Sequence, residues 1–213
     1  MTWRASPMKS IVFVLALLCA TASAVAEESY FPIKTKTGGE GVSEFESKWY
    51  GQSLERMKEP RLPEFAKDSS AEIYRITILP TWGNSIAVRV KKHGESYSLS
   101  ARRLDGQAGY DPGKLVESKD ISLSADDSKT LAQLIQNLNF FQMPTEDDVR
   151  GMDGDEWIIE GVSHGKYHVA ARWCAPSYDP GKRKLTAFLA LCKFLVDKST
   201  LSERPKNKGH KLI

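Results

Sequence analysis

Hydrophobic and polar positions alternate along this chain with two different periods. From residue 73 the period is two. Tyr74, Ile76 and Ile78 alternate with Arg75 and Thr77, and Ile86, Val88 and Val90 alternate with Ala87, Arg89 and Lys91. Tyr97, Leu99 and Ala101 continue the pattern after a His93-Gly94 turn. These runs predict three half-buried strands in a meander, with a fourth strand over residues 115–123. The period then becomes helical. Leu131, Leu134, Ile135 and Leu138 recur at i, i+3, i+4 and i+7, and Ser124 precedes them as an N-cap with Asp126 and Asp127 in the first turn. Residues 157–162 and 167–173 flank a His164-Gly165 turn and predict a hairpin. Leu185, Phe188, Leu189, Cys192, Leu195 and Val196 form the stripe of a last helix. The order is strands, helix, hairpin, helix. It predicts an α+β fold: an antiparallel sheet of about six strands with two helices packed on one face.

The first 70 residues carry other patterns. Arg4 and Lys9 precede an apolar run over 11–20, and Ala24-Val25-Ala26 ends it. That arrangement predicts a signal peptide over residues 1–26 and a periplasmic or secreted product. The run is shorter than a membrane span, which takes about 20 residues. Leu18 stands before Cys19 where a lipoprotein signal carries a small residue. Simple cleavage is therefore expected rather than a lipid anchor. Residues 27–70 read as an arm and linker. Within them Ser43-Glu44-Phe45-Glu46 has the form of a capping box, predicting a short helix to about residue 58 with Phe45 and Trp49 on one face. The single α+β domain is placed at 71–200, and 201–213 is a basic tail expected to fray.

Charge adds one exclusion. The chain has 30 Lys and Arg against 27 Asp and Glu, and the leader takes two of the bases, Arg4 and Lys9. A body this close to neutral has no electrostatic footprint for nucleic acid. Cleavage also leaves two cysteines, Cys174 and Cys192. In an oxidising compartment they form either one disulfide or two buried thiols, and sequence alone does not choose.

Several constellations carry chemistry. Gly161-Val162-Ser163-His164-Gly165 matches the nucleophile-elbow pattern, which needs a strand turning sharply into a helix. Residues 166–173 alternate like a strand instead, so Ser163 is expected on a hairpin. His164 and His168 are four apart, a zinc spacing only on a helix. The acids between 146 and 156 are oxygen-rich but lack calcium-loop spacing. No metal and no cofactor is therefore expected.

Glu160 lies between Ile158 and Val162 on one strand face. A buried carboxylate there needs a base, and Arg75 and Arg89 on neighbouring strands are the expected partners. The second reading makes Glu160 a lone catalytic acid, without the second carboxylate a glycosidase needs. Trp157 and Arg172 are expected to face each other across the hairpin as a cation–π pair. Their face, with His168, is either a contact surface or a surface covered by a helix.

One echo remains. Tyr110-Asp111-Pro112-Gly113-Lys114 recurs as Tyr178-Asp179-Pro180-Gly181-Lys182. Two similar turns explain it. The functional reading is a recognition surface made of Tyr110, Lys114, Tyr178 and Lys182.

The segments Tyr74-Arg75, Gly109 to Gly113, Trp157 to Gly161 and Gly165 to His168, with Arg89 and Trp173, resemble an uncharacterised family of bacterial secreted proteins over roughly residues 72–196. The resemblance implies a bacterial origin and a single α+β domain, and it carries no catalytic role. The expectation for function is an exported, non-enzymatic domain that binds a protein or envelope component, an immunity or inhibitor protein being the specific form. The alternative is a periplasmic hydrolase using Ser163 or Glu160.

Overall fold

The computed structural model describes residues 1–2, 29–35, 41–207 and 210–211. The predicted signal peptide lies almost wholly outside the described residues.

The protein is α+β, built on a six-stranded antiparallel sheet. Its strands are β1 (Ile73–Pro80), β2 (Ile86–His93), β3 (Ser96–Leu104), β4 (Leu115–Ser122), β5 (Asp155–Ser163) and β6 (Lys166–Trp173), in the spatial order β4-β3-β2-β1-β5-β6. The chain lays down β1 to β4 as a meander growing away from β1. It then returns to add the β5–β6 hairpin on the other side of β1. The hairpin register pairs Glu160 with Val169 and Trp157 with Arg172, as a two-residue turn requires. His164 and Gly165 both take positive φ there, 51° and 74°.

One face of the sheet is covered by α2 (Ala125–Leu138) and α3 (Thr186–Lys198). Ser124 caps α2, its hydroxyl accepting from the Asp127 amide at 3.1 Å. Leu131 and Leu138 of α2, and Phe188, Leu191, Cys192 and Leu195 of α3, pack on Ile76, Ile78, Val88, Trp157 and Ile159.

The opposite face is also covered, which the expectation of half-buried strands missed. All eight residues of β1 and all nine of β5 are buried. The cover is α1 (Glu44–Arg56), which carries the predicted capping box: Ser43 accepts from the Glu46 amide, and the Glu46 carboxylate accepts from the Ser43 amide at 2.9 Å. The buried side of α1 is not its Phe45–Trp49 side. Tyr50 and Leu54, with Met57 and Phe31, pack on Leu79, Ala87, Ile158 and Ala171. Residues 60–70 do not act as a linker either. Leu62 in the 3₁₀ turn Leu62–Lys67 is buried against Ile73 and Val162. The arm therefore forms the third layer of one structure.

Past α3 the described tail residues make contacts of their own. Glu117 of β4 accepts from the Ser202 amide at 2.9 Å, and Lys206–Asn207 pairs antiparallel with His210–Lys211. No helix among the described residues is long and apolar enough to cross a membrane.

Candidate functional site

Most candidates read from the sequence are occupied inside the fold. Glu160 is fully buried, and Arg75 grips it with two donors, Nε at 2.8 Å and Nη2 at 2.5 Å. Tyr167 adds a third hydrogen bond at 3.0 Å. Arg89 does not reach this carboxylate. It pairs instead with Glu59 at 2.8 Å, which also approaches Arg75 at 3.4 Å. Glu59 was missed in the sequence because it sits beyond α1, and only docking of the arm brings it onto the sheet. Burial pushes the Glu160 carboxyl above its ordinary value, while Arg75 and Tyr167 pull it down. The result is a chain of alternating charges, Glu160–Arg75–Glu59–Arg89, locking the arm to the sheet.

Ser163 is at the end of β5, where strand turns into strand. Its hydroxyl shares a 2.8 Å hydrogen bond with His164 Nδ1. An elbow needs a helix N-terminus after the serine, and β6 takes that place instead. His168 is buried on the sheet, with Nε2 at 2.8 Å from the Met143 carbonyl and its ring against Phe140.

Trp157 and Arg172 are registered as expected, but α3 covers them. Trp157 is fully buried, its indole N–H donating to the Asp155 carboxylate. The Arg172 guanidinium lies over Phe188 at 6.0 Å and donates to the Thr145 and Pro144 carbonyls. This face is interior, so Trp157, His168 and Arg172 do not form a contact surface.

The two cysteines are free thiols, not a disulfide. Cys192 is buried within α3, where burial pushes its thiol well up. Cys174, just past β6, faces the Asp155 carboxylate at 3.7 Å. Two acids of the loop are held in ion pairs: Asp147 accepts from Arg183 at 2.8 Å, and Glu146 pairs with Arg150 at 2.5 Å. Among the described residues no three metal-ligating side chains converge.

The repeated pentapeptide adopts two backbones. Gly113 takes φ 77°, where an added Cβ would lie 2.3 Å from the Asp105 carboxylate. In the second copy Asp179 takes the positive φ, 43°. Lys182 pairs with Asp179 at 3.0 Å, and Lys114 is exposed. The two segments are thus not a structural repeat. Their tyrosines still reach one region.

That region is a cleft of about 700 Å³. Its walls are the outer side of α1 with Phe45, Lys48 and Trp49, the loop after β3 with Tyr110, and residues 151–156 before and into β5. Trp173 of β6 closes one end, and Tyr178 packs edge-on against it at 5.7 Å. Tyr110 packs against Trp82 with ring centroids 5.0 Å apart and the planes tilted by 41°. Trp49 donates to the Ala108 carbonyl at 2.8 Å, tying α1 to the β3–β4 loop. Gly151 runs so close to the Trp173 indole that a Cβ would sit 2.0 Å from it. Phe45, Tyr110 and Met152 are well exposed here, at 74%, 65% and 100%. Large apolar side chains gathered on one concave surface are a recurrent feature of interaction sites.

Glu156 lies at the cleft's edge and is 7% exposed. Burial, then the Glu46 carboxylate, pushes its carboxyl up to about 8, and Arg150 and the Tyr50 hydroxyl only partly offset this. A glutamate holding its proton near neutral pH is a recurrent mark of functional sites. The sequence hid it as one acid among several in an acidic loop. Trp49 and Phe45 were visible on one helix face, but nothing in the sequence said that the opposite face would be buried.

No protein-family model matches this chain, and no curated protein matches it significantly. The resemblance to a secreted bacterial family rests on the sequence pattern alone, and the site is read from its own chemistry.

Proposed function

We propose that this protein is an exported bacterial binding module, without catalytic activity, that holds a protein or envelope component in the cleft between α1 and the β3–β4 loop. The observation that carries the reading is the gathering of Phe45, Trp49, Tyr110, Met152 and Trp173 on one concave surface. Aromatic side chains on such a surface give large contact area at low entropic cost. An immunity or inhibitor protein is the specific form of this reading. A rigid sheet behind an aromatic cleft suits stoichiometric capture of a partner. The competing hydrolase reading loses support from geometry: Glu160 is held by Arg75, and Ser163 sits in a hairpin turn.

The test is capture from bacterial envelope extracts with the wild type and with Tyr110→Ala. A stoichiometric partner retained by the first and lost by the second supports the reading, once repeated with the purified partner. Turnover of a model ester or glycoside that disappears in Ser163→Ala or Glu160→Gln would replace it with the hydrolase.

A further inference from the structure

The cleft carries an unbalanced charge beside its aromatic walls. Glu156 makes no salt bridge to any described base; its partner is the Tyr50 hydroxyl, and Arg150, whose charge acts on it, is paired with Glu146 at 2.5 Å. Around Glu156 three acids outnumber two bases. The α1 helix presents Glu46, Lys48 and Tyr50, the loop presents Arg150 and Asp153, and Asp155 precedes it on its own strand. Across the sheet its neighbours are Leu79 of β1 and Trp173 of β6, neither of them titratable. A buried carboxylate without a counter-ion, walled by indole and phenol rings, is complementary to an organic cation. An inorganic cation fits poorly, since it needs several hard ligands converging at once.

We propose that the cleft receives a basic side chain of a protein partner, its guanidinium or ammonium seated among the Trp49, Tyr110 and Trp173 rings with Glu156 as counter-ion. This inference rests on the binding reading above and supplies its ligand chemistry. The cation displaces a proton: the Glu156 carboxyl releases it to solvent, and the carboxylate left behind pairs with the incoming charge. Near neutral pH most of the unoccupied protein holds that proton, because burial pushes the group up to about 8. Affinity therefore rises by roughly tenfold per pH unit from pH 6 to pH 8 and levels off above, where the carboxylate is already free.

The probe is the peptide acetyl-Gly-Arg-Gly-amide, titrated into the full chain between pH 6 and 9 and followed by tryptophan fluorescence. Its citrulline counterpart is the neutral control, and cellotriose tests a carbohydrate ligand. The expected result is binding of the arginine peptide with the stated pH profile, little binding of the citrulline peptide, and a weak, pH-independent affinity in Glu156→Gln. Equal binding of arginine and citrulline peptides, a pH profile that survives Glu156→Gln, preference for cellotriose, or no binding up to about 10 mM at pH 9 each overturns the inference. The two readings fail separately. An envelope partner lost by Tyr110→Ala but indifferent to Glu156→Gln leaves the binding module standing and removes the cation.

Discussion

Replacing Glu156 by Gln is expected to stabilise the protein, by an amount that grows with pH. In the folded chain the carboxyl is pushed up to about 8, against an ordinary value of 4.5. A group that holds its proton more tightly when folded favours the folded state at low pH. That advantage is complete below the ordinary value and is lost as pH rises towards about 8. Each unit of the interval corresponds to about 1.4 kcal/mol. The raised proton affinity of Glu156 therefore costs the folded protein about 3 kcal/mol by pH 7, where the folded carboxyl is still mostly protonated, and about 5 kcal/mol by pH 9, where it is ionised. Glutamine keeps the shape and an acceptor for the Tyr50 hydroxyl, but it cannot ionise. The substitution should be nearly neutral at pH 4 and should gain about 3 kcal/mol at pH 7 and about 5 kcal/mol at pH 9. The assay is urea unfolding of both proteins at each pH, taken as a difference so that other titrating groups cancel. A gain that does not change with pH, or a loss at pH 9, would refute the reasoning. Either would mean that Glu156 is solvated or paired when folded.

Arg75→Met leaves Glu160 buried without its base and should cost about 3–5 kcal/mol in urea unfolding at pH 7, with Glu160→Met in the same chain recovering a large part. An additive double variant would show that the pair is not coupled. Gly161→Ala should cost about 1–3 kcal/mol, because its Cβ would lie 2.7 Å from the Phe140 ring and 2.9 Å from Tyr74. A neutral effect on the melting temperature would contradict that packing. A chain lacking residues 1–26, unfolded without reductant, should titrate as two free thiols, with Cys192 inert to thiol reagents until unfolding. A count of zero would restore the disulfide.

Local pattern was enough for the sheet and its first cover. The two-residue period over Tyr74 to Ile78 and the helical stripe from Leu131 to Leu138 each depend on neighbours a few positions away. The β5–β6 register was equally legible, because a turn of two residues leaves a single pairing. Long-range docking was not legible. The burial of Arg75, Thr77 and Leu79 on the second face depends on α1, whose apolar content is modest and split between two sides: Tyr50 and Leu54 face the sheet, and Phe45 and Trp49 face the cleft. A helix with apolar residues on both sides gives no single stripe to read. Glu59 and Glu156 were missed for the same reason. Each becomes special only when a segment distant in sequence closes over it.

That dependence couples the cleft to the fold. The outer side of α1 can form a cleft wall only while its inner side is seated on Leu79, Ile158 and Ala171. The seat is held by Glu59, which joins Arg75 to Arg89, and by the Trp49 indole on the Ala108 carbonyl. Glu156 stands between the two functions. Its raised proton affinity comes from burial under α1 and from Glu46 on the same helix. The arm that completes the core is thus also what creates the uncompensated carboxylate. Stability given up at Glu156 is recovered when its charge is removed, by protonation or by Glu156→Gln, and a paired cation would recover it with the carboxylate intact and in turn tighten α1 against the sheet.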